Sequence, residues 1–141
     1  MTRGTVVTGA LYRTQRGHGK GFADQPPPVI APVHRPARVA IMLALAHKIA
    51  GAIADGQLQD QAEAARRLGV TRARITQLLG LLTLAPDLQE QVLALEAIDG
   101  LEPVSERALR VATCELSWAA QRAICRRLLP TAARARSTGA P

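Results

Sequence analysis

The chain has 141 residues, enough for one compact domain with flanking tails, and no apolar run approaches the roughly 20 residues that cross a bilayer. Hydrophobic residues make up 48% of it but aromatic residues only 2%, a balance that favours close-packed helices over a sheet. The first residues show neither the apolar stretch nor the small-residue cleavage site of a secretory signal, so we expect a cytoplasmic protein.

The net charge of +7 is unevenly distributed. Residues 1–38 carry six lysines and arginines against one acid, and residues 126–141 carry four arginines and no acid. The segment between them has eight basic and ten acidic residues, yet residues 64–86 within it hold four arginines and no acid. A phosphate-backbone partner suits this arrangement, and so does a simpler role in which basic tails keep an alanine-rich protein in solution.

Residues 1–36 are predicted to be a flexible basic tail. They contain the glycine-rich stretch RGHGKG, the run PPP and two further prolines, so they cannot continue a helix and bury little apolar surface. The tail could follow a nucleic-acid backbone or enter a minor groove, or it could be a disordered leader. The sequence leaves both interpretations open.

Residues 37–130 are predicted to fold as an all-α domain of five to six short helices. An apolar stripe at three- and four-residue steps indicates a first helix, which ends at Asp55 and Gly56 because glycine readily adopts the left-handed cap conformation. The later helices are predicted to begin at caps or first-turn residues. These are Asp60, Thr71, Pro86, Ser105 and Ser117. Residues 131–141 are predicted to be a second flexible tail.

The stretch QAEAARRLGVTRARITQLL, residues 61–79, has the spacing of a helix-turn-helix. Ala65 falls where the two helices would cross most closely, Gly69 falls at the turn, where a positive φ is needed, and Val70 is predicted to fill the corner. The turn and packing residues of the motif are Ala65, Gly69, Val70, Ile75 and Leu78. The alternative is an αα-hairpin in which Gly69 is an ordinary C-cap and the arginines form a solvated face.

The polar residues of the same stretch are of the types that read DNA. Arginine bonds a guanine edge with two hydrogen bonds, glutamine does the same to adenine, and threonine reaches a thymine methyl group or a phosphate. The predicted base contacts are Thr71, Arg72, Arg74, Thr76 and Gln77. Arg66 and Arg67, late in the first helix of the motif, are better placed for phosphates.

The motif and its continuation resemble the central DNA-binding region of the ParB family of partition proteins, including the KorB-like plasmid regulators. The resemblance covers about residues 60–129, in the stretches AARRLGVTRARITQLLGLLTLAPDLQEQVLAL, VSERALRVA and SWAAQRAICRRLL. It implies an all-helical reader of a specific DNA site. Residues 1–38 are too short for the nucleotide-binding domain of that family, so its nucleotide-driven sliding is not carried over.

These observations predict a sequence-specific binder of double-stranded DNA that acts as a homodimer in transcription regulation, plasmid partition or mobile-element function, and that lies with the nucleoid. The alternative is a protein–protein adaptor subunit of a recombinase or partition complex that docks through the same helices. We expect no enzyme, cofactor, metal site, membrane contact or small-molecule substrate. The histidines and the two cysteines, Cys114 and Cys125, lack the spacing of a catalytic or metal-ligating set.

Overall fold

The computed structural model describes residues 8–16 and 19–130, and within them the chain divides between Pro32 and Val33 into two units. These residues form six α-helices and two small antiparallel sheets of two strands each. The fold is therefore mostly helical, as predicted, but the prediction that it is purely helical was wrong. The prediction for residues 131–141 lies outside the described residues.

The unit before Val33 contains a β-hairpin, where the sequence predicted only flexible chain. Strand β1 (Tyr12–Arg16) pairs antiparallel with strand β2 (Gly19–Ala23), in a register that places Tyr12 opposite Ala23 and Arg13 opposite Phe22. The strand-favouring residues of this segment are Tyr12, Thr14 and Phe22. They are sparse and separated by glycine and basic residues, so composition alone pointed to a tail.

The unit after Pro32 begins with a second short sheet. Strand β3 (His34–Pro36) pairs antiparallel with strand β4 (Glu96–Ile98), which lies some sixty residues later. Two further bonds extend the pairing: the Val33 amide donates to the Asp99 carboxylate at 2.9 Å, and the Ala37 amide donates to the Leu95 carbonyl at 2.8 Å. Strands of three residues have almost no periodicity, so the sequence did not reveal this sheet.

Six helices follow the predicted order closely. They are α1 (Arg38–Ala54), α2 (Gln61–Leu68), α3 (Arg72–Gly80), α4 (Pro86–Leu93), α5 (Glu106–Thr113) and α6 (Trp118–Leu128), with a short 3₁₀ turn at Leu81–Thr83 after α3. Side-chain oxygens of Asp60, Thr71 and Ser105 accept the expected N-cap hydrogen bonds, each from the amide three residues later. Ser117 precedes α6 without such a bond. No described helix is long and apolar enough to cross a membrane.

The helices enclose two hydrophobic clusters. The smaller, which we call the helix-pair core, joins α1, α2 and α3. Its buried members are Ala46, Ile49, Ala64, Ala65, Ile75 and Leu78. The larger, the C-terminal core, joins the first half of α1 to α4, α5 and α6. Its largest fully buried members are Val39, Leu43, Leu81, Leu84, Val92, Leu109 and Cys125. Partly buried Met42 and Leu82 pack against both clusters.

Candidate nucleic-acid interface

Helices α2 and α3 are joined by a sharp link of three residues. Gly69 takes φ 65° and ψ 31°, the left-handed conformation that glycine adopts without strain. The amides of Gly69 and Val70 donate back to the carbonyls of Arg66 and Ala65, at 3.3 and 3.0 Å. Thr71 then accepts a hydrogen bond from the Arg74 amide through its Oγ1 at 3.2 Å and begins α3. The three residues of the link therefore end α2 and begin α3, and no further residue separates the two helices.

Small residues on α2 allow α3 to pack close to it. Ala64 and Ala65 are buried, and on the other side of the contact Ile75 and Leu78 of α3 are buried with them. Val70 was predicted to fill the corner between the two helices, but 40% of its surface is exposed. The buried contact between the helices is made instead by Ala64, Ala65, Ile75 and Leu78, together with Ala46 and Ile49 of α1.

The outer face of α3 is polar and exposed. Arg72, Thr76 and Gln77 are exposed, and Thr71 is exposed at the start of the helix. Thr76 Oγ1 lies 3.2 Å from both the Arg72 carbonyl and Gln61 Oε1. Arg72 makes no ion pair with any residue that the structure describes. No acidic residue lies on α3, so a phosphate or a base edge would meet only donors and neutral acceptors on this face.

Arg74 lies in a different environment from Arg72, although both were predicted to contact bases. Its two terminal nitrogens donate to the two carboxylate oxygens of Glu106 at 2.6 and 2.8 Å, and its side chain is only 30% exposed. The hydrogen bond from Arg74 is the main reason that the pKa of Glu106 lies below its ordinary value, and Arg110 adds a weaker contact at 3.4 Å. The bidentate pair connects α3 to α5.

The two arginines predicted to contact phosphates also differ. Arg67 pairs with Glu63 one turn earlier on α2, at 2.5 Å, and remains largely exposed. Arg66 is exposed and makes no ion pair within the described residues. Arg66 thus keeps its full charge available at the end of α2 nearest the link.

A further group of arginines beside α3 was missed by the sequence reasoning. A cavity of about 590 Å³ lies between Arg74 of α3, the start of α1 and the start of α5. Its wall contains the glutamates Glu102 and Glu106 and the arginines Arg38, Arg74, Arg107 and Arg110. The hydrogen bond from the Arg38 amide, followed by the contact with Arg35, keeps the pKa of the Glu102 carboxyl below its ordinary value. The only sequence signal was the short stretch SERALR, which does not show that α5 lies beside α3.

The remaining titratable residues of the described chain include two histidines and two cysteines. No group of three or more His, Cys, Asp or Glu in that part is placed to hold a metal ion. His47 Nε2 lies 2.8 Å from Gln89 Oε1, a contact that links α1 to α4. Cys114 is exposed and Cys125 is buried, and burial raises the pKa of the Cys125 thiol.

No family model, curated protein or solved structure matches this chain. The resemblance of the α2–α3 region to the ParB family therefore stays a prediction from a handful of motifs.

Proposed function

We propose that this chain is a sequence-specific binder of double-stranded DNA, in which α2 and α3 form a helix-turn-helix and α3 enters the major groove. The observation that carries the proposal is the exposed polar face of α3, on which Arg72, Thr76 and Gln77 lie together without an acid. An α-helix is about 10–12 Å wide with its side chains, and the major groove is about 12 Å wide. This face therefore meets a surface of matching size.

The helical positions support this assignment. At 100° per residue, Arg72, Thr76 and Gln77 fall within one arc of α3, and the buried residues Ile75 and Leu78 fall on the opposite side. The helix can thus pack on α1 and α2 with one side and face DNA with the other. Arg72 is the first residue of α3, and recognition helices of this kind contact base edges chiefly through their N-terminal residues.

The two arginines of α3 take different roles in this proposal. Arg72 is exposed and keeps all its donors for a guanine edge. Arg74 spends two of its donors on Glu106, so its role is to hold α3 at a fixed angle to α5. A base contact through the same two donors of Arg74 would have to break that bidentate pair, at a cost that a free arginine does not incur.

Arginines around α3 supply the sequence-independent part of the affinity. Arg66 lies at the end of α2, and Arg38, Arg107 and Arg110 lie on the wall of the cavity beside Arg74. Phosphate contacts of this kind position a protein on the duplex and make its affinity fall steeply with salt. Binding to chromosomal or plasmid DNA would place the protein in the cytoplasm with the nucleoid, as a regulator or as a partition or mobile-element factor.

The test is selection of bound sites from random duplex DNA by the full chain, followed by titration of the selected site. Arg72→Ala should weaken binding to that site by about 5- to 150-fold, which corresponds to roughly 1–3 kcal/mol, and should relax the base preference at one position. Arg126→Ala is the matched control, because Arg126 is also exposed and helical but lies on α6. It should leave the preferred sequence unchanged.

Two outcomes would contradict the proposal. One is that no sequence is enriched and binding responds to salt alone. The other is that Arg72→Ala binds the selected site as tightly as the unaltered chain. Either result would favour the adaptor alternative, in which the face of α3 docks on a protein.

A further inference from the structure

One face of the hairpin in the first unit carries Arg13, Lys20 and Phe22. Arg13 of β1 lies directly opposite Phe22 of β2, so the two side chains share a face, and Lys20 shares it because it lies two residues before Phe22. All three are exposed, and Phe22 keeps 74% of its surface in solvent. On the other face β2 has only glycine at 19 and 21 and Ala23, so only one face of this strand presents large side chains.

The charge of the hairpin indicates what this face would contact. Residues 12–23 carry three lysines and arginines and no acid. Exposure of the apolar Phe22 ring to water is unfavourable, and no hydrophobic core of the described residues covers the ring. A strand surface with an aromatic ring between cations is the arrangement that binds unpaired nucleic acid, because each base stacks on a ring while cations contact the phosphates.

We propose that the β1–β2 hairpin is a second nucleic-acid-binding element, which binds a single strand by stacking a base on Phe22 and contacting phosphates with Arg13 and Lys20. This site uses other residues than the face of α3 and does not depend on the function proposed for that face. Duplex DNA fits this face less well, because its bases are already stacked on one another and offer no free ring face. An isolated two-stranded hairpin is marginally stable in water, so binding should also order it.

The ring itself can be tested on the full chain with fluorescein-labelled oligo(dT), which forms no duplex. Phe22→Ile removes the ring but keeps a residue that favours strands, and it should weaken binding by at least about 5-fold. Phe22→Tyr keeps a ring and should bind nearly as well as the unaltered chain. Tyr12→Ile is the matched control, because Tyr12 is the other aromatic of the hairpin but lies on the opposite face, and it should have little effect.

The cations are tested by the salt dependence of the same binding. Replacing Arg13 and Lys20 with glutamine removes two phosphate contacts and should lower the slope of log affinity against log salt by about 1.4. Unlabelled duplex of unrelated sequence should compete poorly with oligo(dT) for the hairpin. Arg126→Ala alters an exposed helical arginine that belongs to neither proposed site, so it should leave oligo(dT) binding unchanged.

The proposal is overturned if Phe22→Ile binds oligo(dT) as tightly as the unaltered chain, or if Tyr12→Ile loses as much as Phe22→Ile. It is also overturned if duplex DNA competes as well as single strands, since that result would assign the hairpin to duplex phosphates alone.

Discussion

The helix-pair core and the C-terminal core are built from different materials. The first packs three alanines and Ile49 of α1 and α2 against Ile75 and Leu78 of α3, and its elements are close in sequence. The second brings α1, α4, α5 and α6 together from distant parts of the chain and contains the only buried polar side chain of the described residues, Gln121. The helix-pair core depends on the close approach of helices that are near in sequence. The C-terminal core depends on contacts between distant residues, including the hydrogen bonds of a buried polar side chain.

Gln121 shows how the second kind of core is specified. Its Oε1 accepts from the Ala85 amide at 2.8 Å, and its Nε2 donates to the carbonyls of Thr83 and Glu115 at 3.1 and 2.9 Å. The Thr83 carbonyl and the Ala85 amide lie just before α4, and the Glu115 carbonyl lies between α5 and α6. No helical partner is available to these groups. The single amide thus fixes two connections at once. Local contacts therefore shape α3, and the Arg74–Glu106 pair joins it to α5 in the C-terminal half.

The largest effect that separates the cores is expected at Gln121. Gln121→Met keeps the volume but leaves buried backbone groups without partners, so the free energy of unfolding should fall by about 1–3 kcal/mol. Urea denaturation measures this change. Gln91→Met on α4 is the control, because Gln91 is exposed and should change stability by less than about 0.5 kcal/mol. An equal loss in both variants would show that Gln121 fills space without specifying the connections.

The same contrast explains how far the sequence could predict the structure. The helix boundaries and the small residues of the α2–α3 contact follow from local rules of capping, spacing and glycine conformation. The pairing of β3 with β4 and the bonds of Gln121 join residues that are far apart in the chain, and no local pattern encodes them. The different environments of Arg72 and Arg74 also required the position of Glu106, thirty-two residues beyond Arg74.

A smaller effect is expected at the link between α2 and α3. Alanine at Gly69 in the link and alanine at Gly80, the last residue of α3, should change the free energy of unfolding in opposite directions. Gly69→Ala places a side chain at φ 65°, where L-residues are strained by roughly 1–2 kcal/mol, although no atom lies within 4 Å of the added Cβ. Gly80→Ala also meets open space, but Gly80 has a helical φ of −57°, so it should stabilise the protein by about 0.4–1 kcal/mol.

Thermal or urea unfolding of the two variants tests whether the left-handed conformation of Gly69, and not its lack of bulk, is what the link requires. If Gly69→Ala proved as stable as Gly80→Ala, the chain at the link could adopt another conformation without loss. The geometry that sets α3 against α2 would then not depend on this residue.

The smallest effect is expected at the Arg74–Glu106 ion pair, which joins α3 to α5, and this effect on stability should depend on pH. The pKa of Glu106 is lowered in the folded protein, mainly by the hydrogen bond from Arg74. Its contribution to stability is therefore complete above the unfolded pKa of about 4.3 and is lost as the pH falls through the folded pKa. Glu106→Gln should be less stable than the unaltered chain near neutral pH by up to about 1 kcal/mol, and the difference should vanish in acid.

Urea denaturation at neutral and acidic pH measures this difference, with Glu90→Gln as the control, because Glu90 is exposed and makes no ion pair within the described residues. A difference that persisted in acid would mean that Glu106 acts through packing and not through its charge.

DNA binding adds a second measurement. If Arg74 holds α3 in position, Glu106→Gln should weaken binding to the selected site without changing the preferred sequence, since Arg72, Thr76 and Gln77 are untouched. A changed base preference would instead return Arg74 to the set of residues that read DNA.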